Sequence, residues 1–172
     1  MALSDSRVSP EPLCEETNYP AVMDKLVVRL DFLEFPPSHT CDGGDTSPRI
    51  RIEGLSAVSV AVMAVNPYQP SCCSFCPWLI WNIPPAGEIP AAIPKTAEVI
   101  SPVSARQGRN DFGTIGYTGP CPPAGATHRY SFKVYGLDQM LELPAGALKG
   151  ELIGAMQGHV LQFGETVAMY SR

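Results

Sequence analysis

The residues best suited to chemistry are His128 and Tyr130, which close a stretch, 108–130, that contains five glycines and three prolines. Histidine changes charge near neutral pH, so His128 can supply a hydrogen-bond donor or a positive charge. Glycines let backbone amides converge, and we expect 119–123 to form an anion-binding nest beside this histidine. A plain connecting loop is the alternative for a stretch of this composition.

The elements around His128 predict how it is positioned. Glycine and proline disfavour a helix across 108–130, so this stretch should be a shaped loop. From Tyr130 onward, apolar residues alternate with others over 130–136, which predicts a strand. The loop should therefore deliver His128 and Tyr130 to the edge of a sheet.

Thiols are the other reactive groups, and the chain has six cysteines. A zinc site would need a second ligand pair at metal spacing, but Cys41, Cys121 and His128 are scattered singly, so we expect no metal. Cys73 and Cys76 have redox-pair spacing, yet no βαβ pattern surrounds them. We interpret the Cys72-Cys73-Cys76 cluster as small apolar side chains near a pocket.

The first ten residues lack both the basic and the apolar region of a signal peptide. We therefore expect a cytoplasmic protein whose cysteines are largely reduced. No apolar run reaches the roughly 18–20 residues that span a bilayer, so no transmembrane segment is expected. A net charge of −5 without a Lys/Arg block argues against nucleic acid as a partner.

Length and composition favour one mainly β domain over 1–172, with 1–24 as an N-terminal arm. Eighteen prolines and 15 glycines are too many for a helical bundle and indicate short strands joined by turns. The 58–65 segment is apolar throughout, as in a central strand covered on both faces. Further strands are predicted at 25–35, 49–52, 76–84, 130–136 and 160–170, a long loop with one short extended piece, around 93–100, at 87–109, and one helix at 146–157.

Several short motifs, in order along the chain from Leu30, resemble those of one family. They are Thr40-Cys41-Asp42-Gly43 with Ser47-Pro48, Trp81-Asn82-Ile83-Pro84, Gly116-Tyr117 with Gly119-Pro120-Cys121-Pro122-Pro123, His128-Arg129-Tyr130, Gly158-His159-Val160-Leu161 and Tyr170-Ser171-Arg172. The family is that of the phosphatidylethanolamine-binding proteins, or Raf kinase inhibitor-like proteins, in particular the short prokaryotic YbhB/YbcL-type branch.

The resemblance implies a large antiparallel sheet packed on a smaller one, with few peripheral helices and an anion pocket at the sheet edge. It also implies the residues that line this pocket. The ligand-binding positions that correspond in this chain are Asn66, Pro70, Pro77, Trp78, Gly119, Pro122, His128 and Tyr130.

The chain departs from the family pattern at two of these positions, Asn66 and Pro77, and also at Tyr68. Asn66 stands where the family has its first aspartate, Tyr68 where it has a second acid, and Pro77 where it has a histidine. An amide in place of a carboxylate removes a charge that repels an anion, but it also removes a partner for a protonated imidazole. His39 and His159 are expected to be structural.

The sequence favours a non-enzymatic binding or regulatory protein without a cofactor, whose ligand is phosphate or a phosphoethanolamine-like anion. The resemblance implies that such a protein modulates a kinase or a protease, and it leaves a homodimer open. One alternative is an enzyme that uses a pocket thiol or His128, although no Gly-x-Ser-x-Gly, His-Glu-x-x-His or P-loop motif is present. Another is a protein with a degenerate pocket that acts through its surface.

Overall fold

The structure is a computed structural model that describes residues 23–67 and 75–172. The predicted arm at 1–24 lies almost wholly outside these residues, as do Tyr68, Pro70, Cys72 and Cys73. The secondary structure of the described residues is dominated by strands. Its elements are β1 Asp24–Lys25, β2 Val27–Arg29, β3 Ile50–Glu53, β4 Ser59–Asn66, β5 Phe75–Ile83, β6 Glu88–Ile89, β7 Glu98–Val99, β8 Ala105–Gln107, β9 Thr127–Leu137, α1 Lys149–Met156 and β10 Val160–Ser171, with a 3-10 turn at Pro37–His39.

The strands form one large and one small sheet. The large sheet has seven strands in the order β1-β10-β9-β4-β5-β8-β7, and the small sheet has three in the order β2-β3-β6. All neighbouring pairs are antiparallel except β1 and β10, so the large sheet is mixed. This arrangement confirms the mainly β fold with a large and a small sheet and few helices.

Strand β4 explains the packing, because all eight of its residues are buried. Val60, Val62 and Ala64 join an apolar cluster that includes Ile50 and Ile52 of the small sheet. Alternate residues of the same strand join a second cluster, on the opposite face, with buried side chains of α1. The prediction of a central strand covered on both faces is therefore confirmed.

Two segments differ from their prediction. In place of the strand expected at 25–35 the structure has the short strands β1 and β2, and Leu26 and Val28, two residues apart, are both buried. The long loop expected at 87–109 contains β6, β7 and β8, which have two or three residues each. A strand of two or three residues is too short to show an alternation of apolar and polar residues. It can be recognised only from the strands with which it pairs.

The helix expected at 146–157 exists in a shorter form as α1, with Leu152, Ile153 and Met156 buried. Its first turn starts three residues later than the pattern suggests, after Gly146, which has a φ of 85°. Within 23–67 and 75–172, no helix has the length and apolar character to cross a membrane.

Cys41 and Cys121 form a disulfide with a Cα–Cα distance of 5.4 Å across 80 residues of sequence. The prediction of reduced thiols is therefore wrong for this pair. Only the fold brings the two loops within the short Cα distance that a disulfide needs, so spacing along the chain could not reveal it. Cys76 is a buried free thiol.

Candidate functional site

The candidate site lies at one end of three neighbouring strands in the large sheet. β4 ends at Asn66, β5 begins at Phe75, and β9 begins at Thr127. Because β4 is antiparallel to both neighbours, these three ends meet at the same edge. Asn66 continues the parity of Val62 and Ala64, so it faces the space between the two sheets.

A cavity of about 90 Å³ opens at this edge. Pockets for drug-sized ligands are larger, at roughly 300–1,000 Å³. The cavity is lined by Asn66, Phe75, Pro77, Phe112, Gly119, Cys121, Pro123, His128 and Tyr130. Its size therefore suits a small group rather than a whole cofactor.

The polar part of the cavity is a cluster of three side chains. The Asn66 amide nitrogen lies 3.2 Å from Nδ1 of the half-buried His128. Burial raises the pKa of Tyr130 to about 12, while hydrogen bonds with the Cys121 backbone and the Asn66 side chain act in the opposite direction. Tyr130 therefore remains a neutral phenol near neutral pH, and Asn66 connects it to His128.

The apolar part of the cavity is a pair of phenylalanines. The rings of Phe75 and Phe112 meet edge to face, with centroids 4.6 Å apart and an interplanar angle of 82°. Phe112 is 50% exposed, so the pair stands at the boundary between cavity and solvent. A ligand with an apolar or cationic portion beside its polar group would meet these rings on entry.

The predicted anion nest at 119–123 is not formed. The Gly119 amide donates to the Asp45 carboxylate at 2.6 Å, and the three prolines of this segment have no amide hydrogen to offer. The Cys121 backbone is engaged by Tyr130. Gly119 and Cys121 thus form a wall of the cavity, but they do not present converging free amides.

Most of the site residues predicted from the sequence come together at the cavity. Asn66, Pro77, Gly119, His128 and Tyr130 all line it. Pro70 lies outside the described residues. Pro122 is buried next to the cavity wall, and its carbonyl oxygen accepts a hydrogen bond from Arg172 at 3.4 Å.

Trp78 lies in the core instead of on the cavity lining. It has no exposed surface, its indole N–H donates to Gln107 at 2.8 Å, and its ring meets Tyr117 edge to face. The step from the Ala64–Trp78 pair to the Asn66–Phe75 pair contains one extra residue in β5. Pro77 lies in this bulge, where a proline interrupts a ladder least.

Four lining residues were not among the predicted ligand-binding positions, namely Phe75, Phe112, Cys121 and Pro123, although Cys121 and Pro123 lie in the predicted 119–123 segment. Phe75 could have been identified from the sequence, because it directly precedes the strand predicted at 76–84. Phe112 could not, because only the conformation of its loop turns it towards Phe75. Its neighbour Asp111 accepts from the Cys76 amide at 2.7 Å and lies 3.8 Å from Lys149, and it does not line the cavity.

The remaining reactive side chains lie outside the cavity. Burial raises the pKa of Cys76 to about 12, and nearby Asp111 adds to the shift, so this thiol stays protonated near neutral pH. His39 lies 2.8 Å from the Thr46 carbonyl oxygen and stacks on Phe32. His159 pairs with Asp138 at 2.9 Å. Within the described ranges, no group of three or more His, Cys, Asp and Glu side chains could hold a metal ion.

Comparisons with protein families, related sequences and solved structures all point to the same family. The family model described as phosphatidylethanolamine-binding protein matches residues 30–171. A UPF0098 protein of Pyrococcus abyssi is 51% identical over 140 residues, which cover 80% of this chain and 78% of that protein.

Solved structures agree with the sequence comparison. The crystal structure of YbcL from E. coli, described as a new member of the mammalian PEBP family, has a TM-score of 0.76 and 27% identity. The alignment covers 86% of this chain and 98% of YbcL. CT736 of Chlamydia trachomatis, described as a PEBP homolog, has a TM-score of 0.72 and 28% identity over 86% of this chain and 97% of its own.

Proposed function

This chain belongs to the phosphatidylethanolamine-binding protein family, and we propose that it is a binding protein whose cavity takes a small phosphate-like anion. The observation that carries the proposal is the cluster of Asn66, His128 and Tyr130 at a cavity of about 90 Å³. A phosphate group, alone or as a phosphoethanolamine-like head group, has the size and the acceptor oxygens that this cluster suits.

The charge of the lining supports an anion. None of the nine lining side chains is a carboxylate, so an anion meets no fixed negative charge there. None is a lysine or arginine either, so His128 is the lining residue of a type that can carry a positive charge. The lining therefore holds no fixed charge of either sign, and His128 is its one imidazole.

The experiment is a binding titration of the intact protein with inorganic phosphate and with phosphoethanolamine. Calorimetry or phosphorus NMR at about pH 6 and about pH 8 brackets the ordinary histidine pKa of about 6.5. We expect weak binding that tightens at the lower pH. Sulfate, whose charge does not change between these pH values, separates protonation of the protein from that of the ligand. Absence of binding at both pH values would reject the proposal.

An enzyme is the rival function, and the geometry gives it less support. Cys76 is buried with its pKa raised to about 12, and Cys121 is held in a disulfide, so neither supplies a thiolate near neutral pH. Tyr130 also stays neutral, and no carboxylate among the lining residues stands beside His128 to act as a second catalytic group. A turnover screen with hydrolase and oxidoreductase substrates tests this alternative directly.

Modulation of a kinase or a protease is the partner function that the family resemblance implies, and it stays a prediction. Homodimer formation and a cytoplasmic location stay predictions as well. A degenerate cavity with recognition through the protein surface is the outcome to which a negative binding titration would point.

A further inference from the structure

We propose that the Cys41–Cys121 disulfide makes ligand binding by the cavity sensitive to redox conditions, with the oxidised protein as the tighter binder. This inference rests on the proposed anion-binding function. It concerns the regulation of the same site, and it starts from the position of the disulfide in the cavity wall.

Cys121 is itself part of the site. It lines the cavity, and its backbone is hydrogen-bonded with Tyr130. Its partner Cys41 does not line the cavity but lies in the loop that follows the 3-10 turn at Pro37–His39. The disulfide therefore joins one lining residue to a separate supporting loop.

The segment that forms this wall runs from 117 to 123. Its first half, 117–120, is held to the supporting loop by hydrogen bonds that do not involve sulfur. The Tyr117 hydroxyl donates to the His39 carbonyl oxygen at 2.6 Å. The Gly119 amide donates to Asp45 at 2.6 Å, and the Cys41 amide donates to the Pro120 carbonyl oxygen at 3.2 Å. These contacts end at Pro120 and would survive reduction.

The second half of the wall, 121–123, depends more strongly on the disulfide. Pro122 and Pro123 have no amide hydrogen, so this segment cannot form a regular ladder. Besides the hydrogen bond between the Cys121 backbone and Tyr130, this segment is tied to the rest of the fold by Arg172, whose guanidinium lies 3.4 Å from both Cys121 Sγ and the Pro122 carbonyl oxygen.

Arg172 reinforces the disulfide but is a weak substitute for it. It forms an ion pair at 3.2 Å with Asp42, the residue next to Cys41, so the pair bridges the same two loops. The Arg172 side chain is 42% exposed, and an exposed ion pair contributes little to stability because water screens it. After reduction, the hydrogen bond with Tyr130 and the Arg172 contacts would be left to hold Cys121 and Pro123, and we expect this wall to sample positions that no longer shape the cavity.

The redox step needs an external dithiol, and both cysteines are exposed to it. A thiolate of the dithiol attacks one sulfur, the Cys41–Cys121 bond breaks, and a mixed disulfide forms. The second thiol of the reagent then displaces the protein sulfur and closes the reagent's own disulfide. The reagent loses two electrons, and Cys41 and Cys121 end as two thiols.

The test measures binding of inorganic phosphate at about pH 6 by calorimetry, with the oxidised protein and with protein reduced by dithiothreitol. If the reduced protein adopts the wall conformation that binds phosphate only about one-fifth of the time, its affinity for phosphate falls about fivefold. The variant Cys41→Ser should bind like the reduced protein without any reductant, and dithiothreitol should not change its affinity. Circular dichroism in each state checks that the sheets remain folded.

The outcomes separate this inference from the proposed function. Oxidised protein that does not bind phosphate rejects the anion-binding function, and the redox inference with it. Equal affinity in the oxidised and reduced states, with binding intact, overturns the redox inference alone. An effect of dithiothreitol on Cys41→Ser would assign the sensitivity to other cysteines and would also overturn it.

Discussion

The Asn66 side-chain nitrogen lies 3.2 Å from Nδ1 of His128, although 62 residues separate them in the chain. The pair exists because β4 and β9 are sheet neighbours and both residues continue the inward parity of their strands. A neutral amide in this position orients the imidazole without adding a negative charge. The contact between Asn66 and His128 therefore orients the imidazole ring. It also means that an incoming anion meets a neutral amide at position 66 and no carboxylate.

Replacing His128 by alanine should weaken phosphate binding about tenfold or more at pH about 6, because a hydrogen bond to a charged group contributes about 1.5–3 kcal/mol. The same change should remove most of the pH dependence of sulfate binding between about pH 5.5 and about pH 8, where the charge of sulfate itself is constant. Calorimetry across this range measures both effects.

The matched control is His159→Ala, since His159 pairs with Asp138 and does not line the cavity. It should retain the affinity and the pH dependence of the wild-type protein. Equal binding by His128→Ala and wild type would show that the anion does not use this imidazole.

Asn66→Asp should move the midpoint of the His128 ring titration about one pH unit or more upward, because a carboxylate within about 4–6 Å favours the protonated imidazole. NMR of the ring resonances measures this midpoint. Asn66→Ser, which removes the amide without adding a charge, should not move the midpoint in that direction. An unchanged midpoint in Asn66→Asp would mean that the two side chains do not contact each other in solution.

Gly119→Ala should destabilise the protein by about 1–3 kcal/mol, because the new Cβ would meet the His39 carbonyl oxygen and press the wall away from its supporting loop. Gly154→Ala is the matched control. A Cβ at Gly154 meets no atom within 4 Å, and alanine in a helix is favoured by up to about 1 kcal/mol. Urea unfolding should show opposite signs for the two variants, and equal signs would contradict the close approach at Gly119.

Stability should fall as pH rises from about 9 to about 12. Burial raises the pKa of both Cys76 and Tyr130 to about 12, so the folded state keeps protons that the unfolded state releases at lower pH. For such groups the stabilisation is complete below the unfolded pKa and is lost as pH approaches the folded value. Each retained proton contributes a slope of up to about 1.4 kcal/mol per pH unit.

Cys76→Ala tests this assignment, since the variant lacks one of the buried acids whose pKa is raised. Chemical unfolding at a series of pH values should give a shallower decline above about pH 9 than in the wild-type protein. A decline of equal steepness would mean that Cys76 does not contribute to alkaline destabilisation.

The sequence by itself determined the elements with a strong local pattern. The apolar run of β4 predicted a strand buried on both faces, and the alternation from Tyr130 onward predicted the strand β9, which in the structure begins at Thr127 and so also includes His128. These predictions worked because side-chain burial alternates with period two along a half-buried strand and is continuous along a fully covered one. The motif order was equally local, and it sufficed to identify the family.

Only the tertiary structure decided what depends on contacts between distant segments. The bulge at Pro77 puts Trp78 into the core and Phe75 on the cavity, and Asp45 occupies the Gly119 amide that the composition had suggested was available. The Cys41–Cys121 pairing also depends on two loops 80 residues apart. Bulge position, hydrogen-bond partner and disulfide partner are set by the distances between packed segments, and local residue patterns do not encode those distances.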